Sequence, residues 1–408
     1  MMNEINPELL RGMTRSRRDA LRLFGLAGAG LGLAACGVKG TKAAPAKQSD
    51  VQKYWNGKTK HGHVNFANWP LYMDKGRTPL KQFTKETGIS VTYREVIQDD
   101  PSWFGKIQPQ LQANQSIGYD LMVITNGVSF TKLTELGYLV PLDHSRMPNF
   151  TKNAGAAYKN ESFDPDNVYS VPYQTGITGI AYDPTKTGRE ITSLADLWDP
   201  KFKGKVGMLS DVQEIGNFGM MAVGVNPEQS TPDDWKKAGA KLKEQRDQGI
   251  VRKYFDQDYI DALTRGDIWL SMAYSGDIFQ QNLSEGSNLK FVIPKEGGTI
   301  WTDNLTIPKT AENPVDAITL LDYFYRPDVA AQLAEIVSYV TPVPGAKEVL
   351  AAEAAKATGS RKKTLQTLSD SPLIFPSDAD YARLHHYRKM TTAEEQQYNA
   401  VFQQITAG

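Results

Sequence analysis

Between residues 64 and 125 the chain repeats a short apolar run followed by an amphipathic stretch, and that repetition leaves few folds open. Residues 64–68, 89–96 and 119–125 read as strands. Residues 78–87, with Leu80 and Phe83 on one face and Gly88 as a stop, read as a helix, as do 102–113. A β-α-β-α-β succession calls for parallel strands with helices on the sheet faces, so the fold class is α/β. At 408 residues the chain exceeds one ordinary core, and two lobes are expected. A polar loop over 148–169 precedes the second. Extended segments 170–173 and 179–182, strands 205–209, 268–273 and 289–293, and helices 212–223 and 231–248 make that lobe α/β as well. Beyond Pro308 only helices are expected, the first two opened by Asn313-Pro314 and Arg326-Pro327, and this tail should brace both lobes.

The strand over 300–308 breaks the usual rule for a buried face. Alternation puts Trp301, Asp303, Leu305 and Ile307 on one side. A carboxylate among apolar neighbours is costly alone, so Asp303 needs a basic side chain, backbone donors or a cationic ligand. An aromatic ring two residues away suits an ammonium group; an exposed strand end with Trp301 as plain core is the plainer alternative.

The amino terminus reads as an export signal over 1–36. Arg11, Arg15, Arg17, Arg18 and Arg22 precede an apolar run too short to span a bilayer. Arg17-Arg18 resembles a twin-arginine signal, and Leu33-Ala34-Ala35-Cys36 resembles a lipobox, which makes Cys36 the expected lipidation site and membrane anchor. Cys36 is the single cysteine, so the mature chain has no thiol for disulfides, thiol catalysis or a zinc thiolate site. Residues 37–60 have the composition of a flexible tether, reaching about 25–30 Å as a coil. The chain's 46 basic residues balance 46 acidic ones, and loss of 1–36 leaves 41 and 43. No nucleic-acid partner is expected from so neutral a chain.

Little points to catalysis. His61, His63, His144, His385 and His386 are scattered, and two adjacent histidines on a helix diverge by about 100°, so no metal is expected. Ser129-Phe130-Thr131-Lys132, Tyr158-Lys159-Asn160 and Lys186-Thr187-Gly188 reproduce the elements of a serine acyl-transfer enzyme in order. They are too closely spaced to hold that enzyme's inserted helical domain, and this reading is the runner-up from another class.

Acidic and aromatic residues form the stronger constellation. Asp211 and Glu214 follow the strand ending at Leu209, in the crevice where open α/β sheets bind ligands, although the same spacing makes a helix capping box. Tyr274 and Asp277 follow the strand 268–273 as a ligand contact or a simple turn, and Trp69 and Tyr72 follow the first strand as site or core.

Asn68-Trp69 with Tyr72, Ser170-Val171-Pro172-Tyr173, Leu194-Ala195-Asp196-Leu197-Trp198, Glu296-Gly297-Gly298 before Trp301 and Asp303, and Tyr339 with Thr341-Pro342 resemble the spermidine/putrescine-binding proteins of bacterial ABC importers. The resemblance covers 64–346. It implies a two-lobed periplasmic-binding-protein fold of type II, with crossovers near Tyr173 and Asp303, closing by a hinge on a polyamine delivered to permease subunits. The lobes would comprise 61–172 with 303–347 and 173–302 with 348–408. Trp69, Tyr72 and Thr125 would line the first lobe and Asp211, Glu214, Tyr274 and Asp277 the second, with Asp303 on the crossover strand and Trp301 and Tyr339 as aromatic walls. No cofactor is implied, and a monomer is expected. Tyr274 stands where relatives usually have Trp, Pro70 where Thr is common, and Gly127-Val128 where an aromatic is often found. Those departures leave another small ligand, opine-like or amino-acid-like, as the alternative.

Overall fold

The computed structural model describes residues 48–256 and 258–407. The expected export signal, Cys36 and the first part of the expected tether lie outside them. The described chain opens on helix α1 (Gln48–Trp55), inside the segment expected to be a tether. That expectation is corrected there: Trp55 is buried and its Nε1 donates to the Pro141 carbonyl at 2.8 Å. Val51 and Tyr54 of the same helix pack beside it against the first lobe's core.

The expected alternation follows as β1 (His63–Asn68), α2 (Thr78–Thr87), β2 (Ser90–Glu95), α3 (Asp100–Gln112) and β3 (Leu121–Thr125). Local chemistry sets the helix ends. Asp74 accepts the Thr78 N–H at 2.8 Å, Gly88 stops α2 at φ 75°, and Asp99 accepts the Ser102 N–H at 2.8 Å to start α3. After α4 (Val128–Glu135) the chain crosses to the second lobe in one 13-residue strand, β4 (Ser170–Tyr182), where two separate segments were expected. Polar Gln174 and Thr175 hide the continuity in the sequence, yet both are buried at the crossing.

The second lobe contains β5 (Val206–Leu209), α5 (Val212–Ala222), α6 (Pro232–Asp247), β6 (Val251–Phe255), β7 (Leu270–Tyr274), α7 (Ser275–Glu285) and β8 (Lys290–Val292). Strand β6 was not expected, because exposed Arg252 and Lys253 interrupt its apolar pattern; it is an edge strand, where charge is tolerated. β9 (Gly298–Thr306) then returns to the first lobe.

The ten strands among the described residues form one mixed sheet in the order β2-β1-β3-β9-β4-β7-β5-β6, with β8 beside β4 and a short strand near residue 384 beside β9. Parallel pairs build each lobe, β1 with β2 and β3, β5 with β6 and β7. Antiparallel β4 and β9 join them, with a register shift between Pro172 and Gln174. Asp303 to Thr306 pair with β3, whereas Thr178 to Tyr182 pair with β7, so the two crossover strands belong half to each lobe.

The tail comprises α8 (Pro314–Tyr323), α9 (Pro327–Val337), α10 (Ala346–Lys356), α11 (Gly359–Asp370), β10 (Leu384–His385) and α12 (Thr392–Thr406). β10 corrects the expectation of helices only. The tail does touch both lobes, but it divides. Leu350, Ala354, Leu365 and Leu368 join the first lobe's core, while Tyr398, Phe402 and Ile405 join the second's. Residues 348–408 are therefore not one block of the second lobe, because α10 and α11 bury their apolar stripe against α9 and its neighbours.

Candidate functional site

The site grows from β9. Every residue of that strand is buried, and Trp301 and Asp303 share a face as alternation requires. Asp303 is 3 % exposed and accepts from the Tyr72 hydroxyl and, at 2.6 Å, from Thr125 Oγ1. The buried carboxylate thus receives hydroxyls from the loop after β1 and the end of β3. Tyr72 is turned inward by Leu71, whose φ of 65° is left-handed, an arrangement costing about 1–3 kcal/mol for a residue with a side chain. Leu71 itself is 48 % exposed.

One acidic residue at this end was missed by sequence reasoning. Asp100 is the first residue of α3 and lies beside Thr125 and Asp303. Burial, then the charge of Asp303, pushes its carboxyl well above the usual range. The only sequence signal was a second Asp directly after the cap, which is easily taken for part of the helix start.

Aromatic rings run from here into the second lobe. Tyr72 meets Tyr339 at 6.2 Å, Tyr339 meets Trp301 edge-on at 5.3 Å, and Trp301 meets Tyr274 edge-on at 5.9 Å. Two glycines make room: a Cβ on Gly176 would lie 2.0 Å from the Trp301 ring, and one on Gly276 would lie 1.9 Å from Tyr339. Trp69 is half-buried against the first lobe's core clusters and shares no ring contact with this run among the described residues.

At the far end stands α5. Asp211 is its N-cap, accepting from the Gln213 and Glu214 N–H groups at 2.9 Å each, so the capping half of the earlier ambiguity is real. Glu214 does not reach back to complete a box. It is wholly buried and its Oε1 accepts from Thr178 Oγ1 at 2.7 Å and the Tyr387 hydroxyl at 2.6 Å. Its Oε2 has no hydrogen-bond partner among the described residues. Burial, followed by the Asp211 charge, pushes its carboxyl up to about 8. Asp277 accepts from the Tyr259 hydroxyl at 2.8 Å, and that hydroxyl accepts the Tyr274 N–H at 3.0 Å, so Asp277 fixes the backbone of Tyr274.

Tyr387 was also missed, because it belongs to the tail that carried no recognisable pattern. Its ring lies 3.7 Å from where a Gly127 Cβ would be, bridging the first lobe to Glu214.

The acyl-transfer elements do not assemble. Ser129 is buried in α4, Lys132 pairs with Glu395 at 3.0 Å, and Lys186-Thr187-Gly188 ends a short helix rather than lying on a strand. Among the described residues no three ligating side chains cluster for a metal, and no helix is long and apolar enough to cross a membrane.

Comparison with known proteins bears on the family of the chain. The profile of the bacterial extracellular solute-binding proteins matches residues 80–362. Over 348 residues the chain is 31 % identical to the spermidine/putrescine-binding periplasmic protein of Escherichia coli, an alignment covering 84 % of this chain and 91 % of that one. It is 31 % identical over 294 residues to the putrescine/agmatine-binding protein of Pseudomonas aeruginosa, covering 68 % and 77 %. The solved spermidine/putrescine ABC transporter substrate-binding protein of Streptococcus pneumoniae superposes with a TM-score of 0.72 at 26 % identity, over 85 % of this chain and 98 % of that one. All three are named as binding proteins. With carboxylates at both ends of a buried aromatic run and crossover strands between two α/β lobes, this chain belongs to the family of bacterial extracellular solute-binding proteins.

Proposed function

We propose that this chain is the extracytoplasmic substrate-binding lipoprotein of an ABC importer, capturing a polyamine such as putrescine or spermidine between its lobes and delivering it to the permease. The observation that carries the reading is the placing of carboxylates at the two ends of one aromatic run, buried Asp303 at the first and buried Glu214, with Asp211 beside it, at the second. A flexible dication fits such a frame. Its terminal charges meet the carboxylates, and its methylenes and charges lie against Tyr72, Tyr339, Trp301 and Tyr274. Thr125 and Asp277 position these groups, and Trp69 closes the first-lobe side. The ring of Tyr387 supplies beside Gly127 the aromatic that relatives often carry there.

Burial and the Asp211 charge oppose ionisation of Glu214, and a polycation removes that opposition. The ligand therefore favours the closed arrangement. Cys36 would carry the lipid that holds the chain, as a monomer, on the outer face of the cell membrane. The names of the relatives support the polyamine class, and the lipobox supports the anchor.

Isothermal titration of the full chain with putrescine, spermidine and spermine tests the reading. Saturable one-site binding of at least one of them is expected, and no heat from any of the three sinks it. For the anchor, labelling cells with a radioactive fatty acid should mark the wild-type chain and not the Cys36→Ala variant; equal labelling would refute lipidation at Cys36.

A further inference from the structure

The first-lobe end of the cleft holds an acceptor that the polyamine reading leaves unused. Asp100 Oδ1 is shielded from water and has no hydrogen-bond partner among the described residues. Helix α3 does not need it, because Asp99 already accepts the Ser102 N–H at 2.8 Å. Asp100 lies against Thr125, whose hydroxyl donates to Asp303 at 2.6 Å, so two carboxylates flank one threonine. Asp303 already receives the hydroxyls of Tyr72 and Thr125 on its two oxygens, which makes Asp100 Oδ1 the acceptor still open. Burial and the neighbouring Asp303 hold Asp100 toward its neutral form. Two crowded carboxyls with a spare shielded oxygen suit a cation that brings several N–H donors on one atom.

We propose that Asp100 is a specificity-determining residue that, together with Asp303, seats a primary ammonium terminus and discriminates against N-alkylated ends. A primary ammonium has three N–H donors directed around one nitrogen, enough for both carboxylates at once. A tertiary ammonium carries the same charge with one donor. It can satisfy Asp303 or Asp100, but not both, and its methyl groups occupy the remaining directions. This inference rests on the polyamine reading and extends it from charge to the number of donors at the terminus.

The test titrates the full chain and its Asp100→Asn and Asp100→Ser variants with putrescine and with N,N,N′,N′-tetramethylputrescine, which has equal charge and length. Unfolding midpoints are recorded beside each. In the wild type, putrescine should bind at least tenfold more tightly than the tetramethyl compound. Both variants should lose tenfold or more in putrescine affinity and much less for the tetramethyl compound, with unfolding midpoints near wild type. A preference unchanged in either folded variant overturns the assignment of Asp100 while leaving the polyamine reading intact. A wild-type chain that binds neither diamine, nor spermidine, overturns both.

Discussion

The two ends of the aromatic run hold their carboxylates by different means. At the first-lobe end, Asp303 and its neighbours come from four separate stretches: the loop after β1, the start of α3, the end of β3 and the crossover strand β9. At the second-lobe end, Asp211 and Glu214 both sit at the start of one helix, and the hydroxyls of Thr178 and Tyr387 reach Glu214 from distant parts of the chain. The first end exists only in the folded molecule. The second is nearly complete in a stretch of four residues, and its acid strength is set by what later covers it.

If the ends differ in this way, removing charge at each should have unequal consequences. The largest effect is expected for Asp303→Ala. It leaves a bound ammonium without its main buried counter-charge, and losses of about 2–5 kcal/mol are typical of such truncations. Polyamine binding should therefore weaken by roughly 30-fold or more in calorimetry; an affinity within threefold of wild type would break the comparison at its first end.

Glu214→Gln comes next, with an expected loss of about 1.5–3 kcal/mol for a hydrogen bond to a charged group. Its pH signature is more telling. Glu214 titrates near 8 in the ligand-free fold, and only its ionised form attracts a cation, so wild-type affinity should rise from pH 6 to 9. The Gln variant should lose the Glu214 component of that rise, and an equal slope in both proteins would exclude Glu214.

Stability of the ligand-free chain should move the other way. The folded carboxyl at about 8 lies above an unfolded value of about 4.3, so Glu214 favours folding fully only below pH 4 or so. Its contribution is lost as pH rises through that window. Glu214→Gln should accordingly raise the unfolding midpoint more at pH 8 than at pH 5, as differential scanning calorimetry would read.

Tyr387→Phe removes one hydroxyl from Glu214 while keeping the ring beside Gly127, and a loss of about 0.5–1.5 kcal/mol in ligand affinity is expected. The smallest effect belongs to Leu71→Gly. Relief of the left-handed backbone should raise the unfolding midpoint by a degree or two, while the freer loop costs a few-fold in affinity by releasing Tyr72. A lower midpoint would show that Leu71 packs more than its exposure suggests.

How much could be read in advance follows the same division. The parallel α/β units, the crossover strand with Trp301 and Asp303, and the start of α5 are local patterns of period and capping, and they were legible. Asp100 was not, because an acid one position past an N-cap looks like helix chemistry until β3 and β9 are brought beside it. Tyr387 and the division of the tail were hidden for a related reason. Which lobe a helix joins depends on a partner surface hundreds of residues away, and amphipathic pattern alone names no partner. The docking of Trp55 was obscured by the polar composition around the few apolar residues, Val51, Tyr54 and Trp55, that make the contact.

The crossover strands and the divided tail also order events in time. The first lobe begins at β1 but its sheet lacks β9 until residue 306, and its core lacks α10 and α11 for longer still. The second lobe is nearly continuous, yet Tyr398 and Phe402 fill its core from the last helix. Neither half can be finished until segments far along the chain have been made. Complete folding of both lobes is therefore a late step, rich in distant contacts and correspondingly slow, and the interval before it is open to a chaperone.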